Sequence, residues 1–537
     1  MKRSPAECPI ARTDVSTCAR RGMVLITVMI VVVMVSLAGY SFAAMMFTEK
    51  KAVKLNGNAL QLECATSSGE EWLKVFLSRP SAARNEQGGL YDNPDMFGGL
   101  AMFPEESPSS QVRLSIVAPR QEEGEVIGLR FGVEDESSKL NLADLPLWEQ
   151  RVPGSGKEAL MHLPGMTESL AEAMLDWIDA DGEPRSQGAE GDYYASLDPA
   201  YAPRNGSPLS LEELLLVKGV TRSLLFGADA NRNHHVDERE AGRAAEHAAQ
   251  AVSLEDESWS ALLTVYSAEA NVDPLGRPRI NLNSPQLVQL EQALRHLLDA
   301  RWASFILAYR QFGPYHGDEP ANAAASLVSD VSRPPKFTIT SVLDLVDAKV
   351  GVPSSSKEGT TTVYASPLLP GRDAMRLELS RLLDYTTLTD SPLIRGRVNV
   401  NQAPRIVLAA VPGMTETLVD QILSARTSPL AFHDPDRRHA TWLLAEGLVD
   451  LERMKALLPY LTGGGDVFRG QIVGFFDDLP QASRVEVVID ATSNPPRQLY
   501  REDLRHLGRG YSLSALGAES EENRSATTGR DIQPQRR

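Results

Sequence analysis

The sequence predicts an α+β protein: a long N-terminal helix, an antiparallel sheet, and a large helical region inserted between the strands of that sheet. Three observations carry the prediction. An apolar run without a charged residue extends from Met23 to Phe47. Strand-like runs lie near both ends of the remaining chain, and one short motif recurs three times between them. The 537 residues are 42% hydrophobic and 23% charged, so most of the chain should fold as globular protein. A formal net charge of −17 argues against non-specific nucleic-acid binding, because such a surface repels phosphates.

The first 22 residues are basic, with Lys2, Arg3, Arg12, Arg20 and Arg21 against Glu7 and Asp14. The apolar run 23–47 makes roughly 37 Å of helix, enough to span a bilayer with some tilt. It outruns the about 7–15 apolar residues of a cleaved export signal, although small residues at 41–44 leave a cut near Ala44 open as an alternative. The positive-inside rule holds the basic leader in the cytoplasm and sends everything after about residue 48 outward. Amphipathic spacing continues through Leu55, Ala59, Leu62, Ala65, Trp72, Val75 and Phe76. The helix is therefore expected over 23–78, with 23–47 in the membrane and some loosening at Gly57 and Gly69.

Residues 79–135 read as a long Gly- and Pro-rich loop followed by strands over 111–119 and 125–135. Three further strands are expected over 467–476, 484–492 and 497–503, inside a closing segment 463–505. The tail 506–537 lacks apolar periodicity and is expected to be disordered. Between the two strand groups lies the helical insertion, 136–396, followed by a related unit over 397–462. "KLNLADLP" at Lys139, "RINLNSPQ" at Arg279 and "RVNVNQAP" at Arg397 are variants of one element. The first and third are each followed by "PGMTE", at Pro164 and Pro412, flanked by helical sequence. Helix-hairpin-helix is the natural reading, with "SLEELLLVKGVTRSLL" from Ser210 as a weaker relative. The second motif and its helices, about 253–390, look like an added unit containing the linker "GVPSSSKEGTTT". Such hairpins also have a DNA-binding reading, but Glu168 and Glu416 stand where a positive charge would help.

Two acidic segments have calcium-loop spacing. In "DANRNHHVDERE", Asp229, Asn231, Asn233, the His235 carbonyl, Asp237 and Glu240 fall at positions 1, 3, 5, 7, 9 and 12 of a twelve-residue loop. His234 takes the sixth position, where glycine is usual, so the loop is weakened rather than excluded. Adjacent histidines without further ligands make a poor zinc set, and a solvated acidic turn is the bland alternative. In "DWIDADGEPRSQGAEGDYY", Asp179, Asp181, Glu183 and Glu190 echo the first loop more loosely. With Cys8 and Cys18 in the leader, only Cys64 would remain in a mature chain, so metal is a reasonable staple.

The basic leader, Gly22 and the uninterrupted apolar helix resemble a type IV pilin-like prepilin. That resemblance implies cleavage between Gly22 and Met23 by a prepilin peptidase and methylation of Met23. Glu is usual at the fifth mature position, where this chain has Thr27. With "DWIDADGEPRSQGAEGDYY", "SLEELLLVKGV", "VNVNQAPRIVLAAVPGMTE" and the terminal strands added, the chain resembles the general secretion pathway protein K family. This is the large minor pseudopilin of the type II secretion system. The resemblance implies a pseudopilin sheet with an inserted helical domain of SAM-like helix-hairpin-helix units, and calcium, with Asp179, Asp181, Glu183 and Glu190 as the suggested ligands. With the Asp229 loop, one or two calcium sites are expected. It also implies a single-pass inner-membrane protein whose C-terminal domain lies in the periplasm. Its expected partners are other minor and major pseudopilins, with no nucleic acid and no small-molecule substrate. The calcium loop at Asp229 and the added unit depart from the family pattern.

The function expected is initiation and capping of the periplasmic pseudopilus in support of protein secretion. The alternative is a membrane-anchored DNA-binding protein. No G-x-S-x-G, H-E-x-x-H, P-loop or paired cysteines support an enzyme, and His162, His296 and His439 read as structural.

Overall fold

The computed structural model describes residues 21–102, 111–122, 125–237, 240–242, 258–324, 327–328, 330–353, 361–426 and 437–518. The leader through residue 20, residues 253–257, the linker over 354–360 and the tail beyond 518 lie outside the described residues. The chain divides into two compact units, through Gln61 and from Leu62 onward.

Helix α1 runs Arg21–Leu77 without interruption. From Val24 it is long and apolar enough to cross a membrane, and in the first unit its side chains from Val24 to Gly57 are exposed. In the second unit it buries a stripe of Leu62, Ala65, Gly69, Leu73 and Phe76 at helical spacing. This stripe keeps Leu62, Ala65 and Phe76 of the expected one and replaces Trp72 and Val75 with Gly69 and Leu73. Trp72 and Val75 remain exposed, and the Trp72 indole N–H donates to the Met96 carbonyl at 3.2 Å.

Neither glycine loosens α1. At Gly69 the helix approaches the sheet so closely that a Cβ would meet Ile472 at 2.7 Å and Leu114 at 2.8 Å. Gly57 has nothing within 4 Å. Gly69→Val should therefore cost about 1–3 kcal/mol through overpacking. Gly57→Ala should gain up to about 1 kcal/mol from helix propensity. Denaturant melts of the detergent-solubilised protein check both.

The sheet comprises β1 (Leu100–Ala101), β2 (Val112–Glu122), β3 (Glu125–Phe131), β4 (Glu134–Asp135), β5 (Val467–Phe476), β6 (Ala482–Asp490) and β7 (Arg497–Asp503). The order β1-β2-β5-β6-β7 is antiparallel throughout, with β3 on β2 and β4 on β5. Every residue of β5 is buried. On one face Leu114, Ile116, Ile472, Val485 and Val487 pack with Leu73, Phe76 and Phe97, and the Phe76 and Phe97 rings meet edge to face at 5.3 Å. On the other face Val117, Val473 and Phe475 pack with Leu516.

Two expectations change here. The stretch 79–110 is not plain loop, since it contains helices Ser81–Glu86 and Pro94–Phe97 as well as β1. Residues 506–518 are not disordered. Leu516 is fully buried, its carbonyl accepts the Ser115 hydroxyl at 2.7 Å, and Tyr511 donates to Gln471 at 2.7 Å. A few apolar contacts and backbone hydrogen bonds hold this segment, which explains why it shows no periodicity.

The inserted region repeats one construction three times. Leu140–Asn141 pairs in parallel with Leu263–Thr264, Ile280–Asn281 with Thr386–Thr387, and Val398–Asn399 with Leu461–Thr462. In each, the asparagine Oδ1 accepts the amide two residues on: Ala143 at 3.0 Å, Asn283 at 2.8 Å and Asn401 at 2.9 Å. This is the local side-chain bond that turns a strand end into a helix start. The recurring motif is thus a two-residue strand with its own turn. In the first and third units Gly165 and Gly413 adopt left-handed backbone, with φ 66° and 81°. Thr167 then caps helix Glu168–Ile178. The weaker relative forms a 3-10 helix, Leu211–Leu216, before Gly219. The middle unit leaves through Ala268–Ala270 and rejoins through Leu393–Arg395, which pair antiparallel.

A buried charge network ties the insertion to the sheet. Arg469 on β5 lies 2.6 Å from Glu136 and 2.5 Å from Glu486 on β6. Lys139 lies 2.7 Å from Glu134. Burial pushes Glu486 upward, but Arg469, then His234, Lys139 and Arg232, hold it down to about 2.

Candidate metal centre

Helix Glu168–Ile178 ends with the Asp179 amide donating to the Leu175 carbonyl at 2.9 Å. One turn earlier, the fully buried Asp176 carboxylate organises the following loop. It accepts the amides of Arg185 at 3.2 Å and Ala189 at 2.8 Å. Gly188 is needed there, because a Cβ would lie 1.9 Å from Asp176 Oδ2. The loop therefore turns back over Asp176 and delivers Glu190 beside Asp179. Asp181 accepts the Glu183 amide at 3.0 Å, a tight side-chain turn.

The result is a convergence of Asp179, Asp181 and Glu190, whose ligand oxygens all lie within 4.8 Å of one another. Glu190 is only 4% exposed, and neither of its oxygens makes a hydrogen bond of normal geometry, although the Asn205 side chain pulls against the rise in its pKa. Asp179 Oδ1 and Asn205 Oδ1 are likewise buried and unbonded. Asn205, at φ 46°, donates its amide to the Asp181 carbonyl at 2.5 Å. Burial, then repulsion from Asp176 and Asp179, raises the Glu190 pKa. The Asp179 pKa is also raised, by burial against the opposing pull of Arg185. Buried, unbonded, mutually repelling oxygens are what a hard cation satisfies, and calcium takes about 6–8 such ligands.

Glu183, expected among these ligands, is exposed and outside the convergence. The turn at Asp181 directs it to solvent. Asn205 and Asp176 were not read from the sequence, and Arg185 was read there only as a departure from calcium-loop spacing. Asn205 comes from a separate stretch of chain and no spacing rule points to it, whereas Asp176 was visible one helical turn before Asp179.

The 229–240 loop adopts another arrangement. Asp229 accepts the amides of Asn233 at 3.1 Å and His234 at 2.7 Å. Glu240 accepts those of Asn231 at 3.0 Å and Asp237 at 3.1 Å. His234 sits at φ 61°, the left-handed geometry expected of the sixth position. Residues 238–239 lie outside the described residues. Asp229, Asp237 and Glu240 are not gathered as the other three carboxylates are. His235 is exposed, and its amide donates to the Asn233 side chain. The loop seats against the sheet: Gln471 donates to the Arg232 carbonyl at 2.8 Å, and Asn233 donates to the Gly510 carbonyl at 2.7 Å.

Gly22 and Met23 lie in the first turn of α1, and Thr27 is exposed on it. Glu168 pairs with Lys157, and Glu416 stands at the start of helix Glu416–Arg426. These glutamates occupy the helix N-termini where a phosphate would otherwise bind. His439 hydrogen-bonds Asp384 at 2.8 Å.

A long N-terminal apolar helix whose distal turns pack on an antiparallel sheet, with a helical insertion between the strands, is the mixed architecture expected from the sequence. Residues 138–226 match the family model described as type II secretion system (T2SS), protein K. A protein of Pseudomonas aeruginosa named type II secretion system protein K is 29% identical over 211 residues, covering 37% of this chain and 57% of that protein. The chain thus matches little more than half the length of that relative. The crystal structure of the GspK-GspI-GspJ complex from the type 2 secretion system of enterotoxigenic Escherichia coli aligns over 83% of this chain and 97% of that one. That alignment has 11% identity and a TM-score of 0.33. Over residues 138–226 the chain is thus similar to type II secretion system protein K.

Proposed function

We propose that this chain is a minor pseudopilin acting at the tip of a periplasmic pseudopilus, where it initiates or caps assembly and so supports protein secretion. The observation that carries the reading is helix α1, apolar and exposed over its first half and packed on the sheet from Leu62. Such a helix serves first as an inner-membrane anchor and then as a stem among other stems. Thr27 in place of an acidic residue avoids the about 2.5–3.5 kcal/mol cost of a carboxylate in the bilayer. It also forgoes pairing with a neighbour's amino terminus, which suits a terminal subunit. Other minor and major pseudopilins are the partners, and the role is structural rather than catalytic.

The repeated units are read as SAM-like helix-hairpin-helix modules used for protein packing. Glu168 and Glu416 at their turns disfavour DNA. Calcium at Asp179, Asp181, Glu190 and Asn205 would staple the loop to its helix. The 229–240 loop is the second candidate, one that would have to exchange its amide bonds for metal.

Co-expression with a prepilin peptidase, followed by intact mass and N-terminal sequencing, tests the processing. The expected product begins at a methylated Met23. A product beginning near Ala44 would replace this reading with that of a secreted protein.

A further inference from the structure

The metal reading of Asp179, Asp181 and Glu190 leaves one neighbour without a role. Arg185 Nη1 lies 2.6 Å from Asp176 Oδ1 and 2.6 Å from Asp179 Oδ2. The side chain is about one-third exposed, at 32%. It therefore engages one oxygen of a residue whose other oxygen, Oδ1, is buried and unbonded. Four carboxylates crowd this corner, and Arg185 is the cation hydrogen-bonded to two of them. Glu190 points independently to a ligand, since it is 4% exposed and neither of its oxygens makes a hydrogen bond of normal geometry.

We propose that Arg185 is a built-in competitor for the metal, setting the affinity of the site for a hard divalent cation. This rests on the calcium reading above and specifies how that site is regulated. The guanidinium acts in two ways. It holds Asp179 Oδ2, so Asp179 offers a cation one oxygen rather than a bidentate pair. It also places a fixed positive charge beside the position a divalent ion would take, where the two repel. The loop also has backbone bonds that do not involve this side chain. Asp176 is held by the backbone amides of Arg185 and Ala189, and these survive substitution at position 185. Arg185 thus makes the site exchangeable, filling and emptying with ambient calcium.

The test uses the full chain in detergent. Terbium luminescence, sensitised by Trp177 two residues before Asp179, is titrated and then displaced with calcium in wild type, R185Q and R185M. Cooperative melts confirm that each is folded. The expected result is calcium affinity at least tenfold tighter in both variants, with R185K close to wild type. Wild-type binding with unchanged or weaker affinity in R185Q and R185M would overturn the competitor role and leave the metal site standing. No terbium or calcium binding by any variant would overturn the metal reading, and this inference with it.

Discussion

Arg469→Met is expected to destabilise the protein by about 3–5 kcal/mol, because it removes the nearest cation from two buried carboxylates. Glu136 is fully buried and Glu486 is 8% exposed, and Arg469 lies within 2.6 Å of both. The effect on pH dependence is more diagnostic than the loss itself. In the native protein Glu486 is held down to about 2 from an ordinary 4.5. A depressed carboxylate stabilises the fold fully above pH 4.5, and that contribution drains away as pH falls toward 2. Without Arg469, burial dominates and both carboxylates take up protons more readily in the folded state than in the unfolded one. The variant should then gain stability as pH falls from 7 toward 5. Urea melts across that range, compared with wild type, read the sign directly. Parallel pH profiles would show that the network does not depend on Arg469.

Gly188→Ala is expected to abolish calcium stabilisation while leaving the sheet intact. The added methyl would sit 1.9 Å from Asp176 Oδ2, so the loop must lift from the carboxylate that organises it. Glu190 follows two residues later and moves away from Asp179 and Asp181. Overpacking alone should cost about 1–3 kcal/mol. In wild type, calcium at about a hundred times its dissociation constant should add about 2.7 kcal/mol, a rise of several degrees in Tm. In the variant that rise should vanish. A calcium-dependent shift persisting in Gly188→Ala would move the binding elsewhere, with the 229–240 loop the next place to look.

What could be read from the chain followed from local pattern. The runs at 467–476 and 497–503 are strands because alternation and flanking turns act over a few residues, and no distant contact is needed to see them. The buried stripe of α1 was read correctly at Leu62, Ala65 and Phe76 and missed between them. Trp72 looks like a core residue by type, yet Leu73 faces the sheet, and only the direction of approach decides between adjacent side chains. The three asparagine motifs were visible as repeats. Their role as paired strand ends was not, because each strand is two residues long and its partner lies far along the chain. The acidic spacing brought out Asp179, Asp181 and Glu190. Counting offsets as in a continuous loop also drew in Glu183, which the turn at Asp181 sends outward. Asn205 could not be counted in at all, since tertiary folding alone delivers it.

The ladder of Ala268–Ala270 with Leu393–Arg395 has a consequence for how chains of this kind change in length. Where two ends of a segment stand side by side, a gene can acquire, enlarge or drop the intervening cassette without re-threading anything around it. The sheet and the flanking repeats would meet the same pair of ends whatever lay beyond them. Length can therefore change at this port while the sheet and the flanking repeats stay as they are.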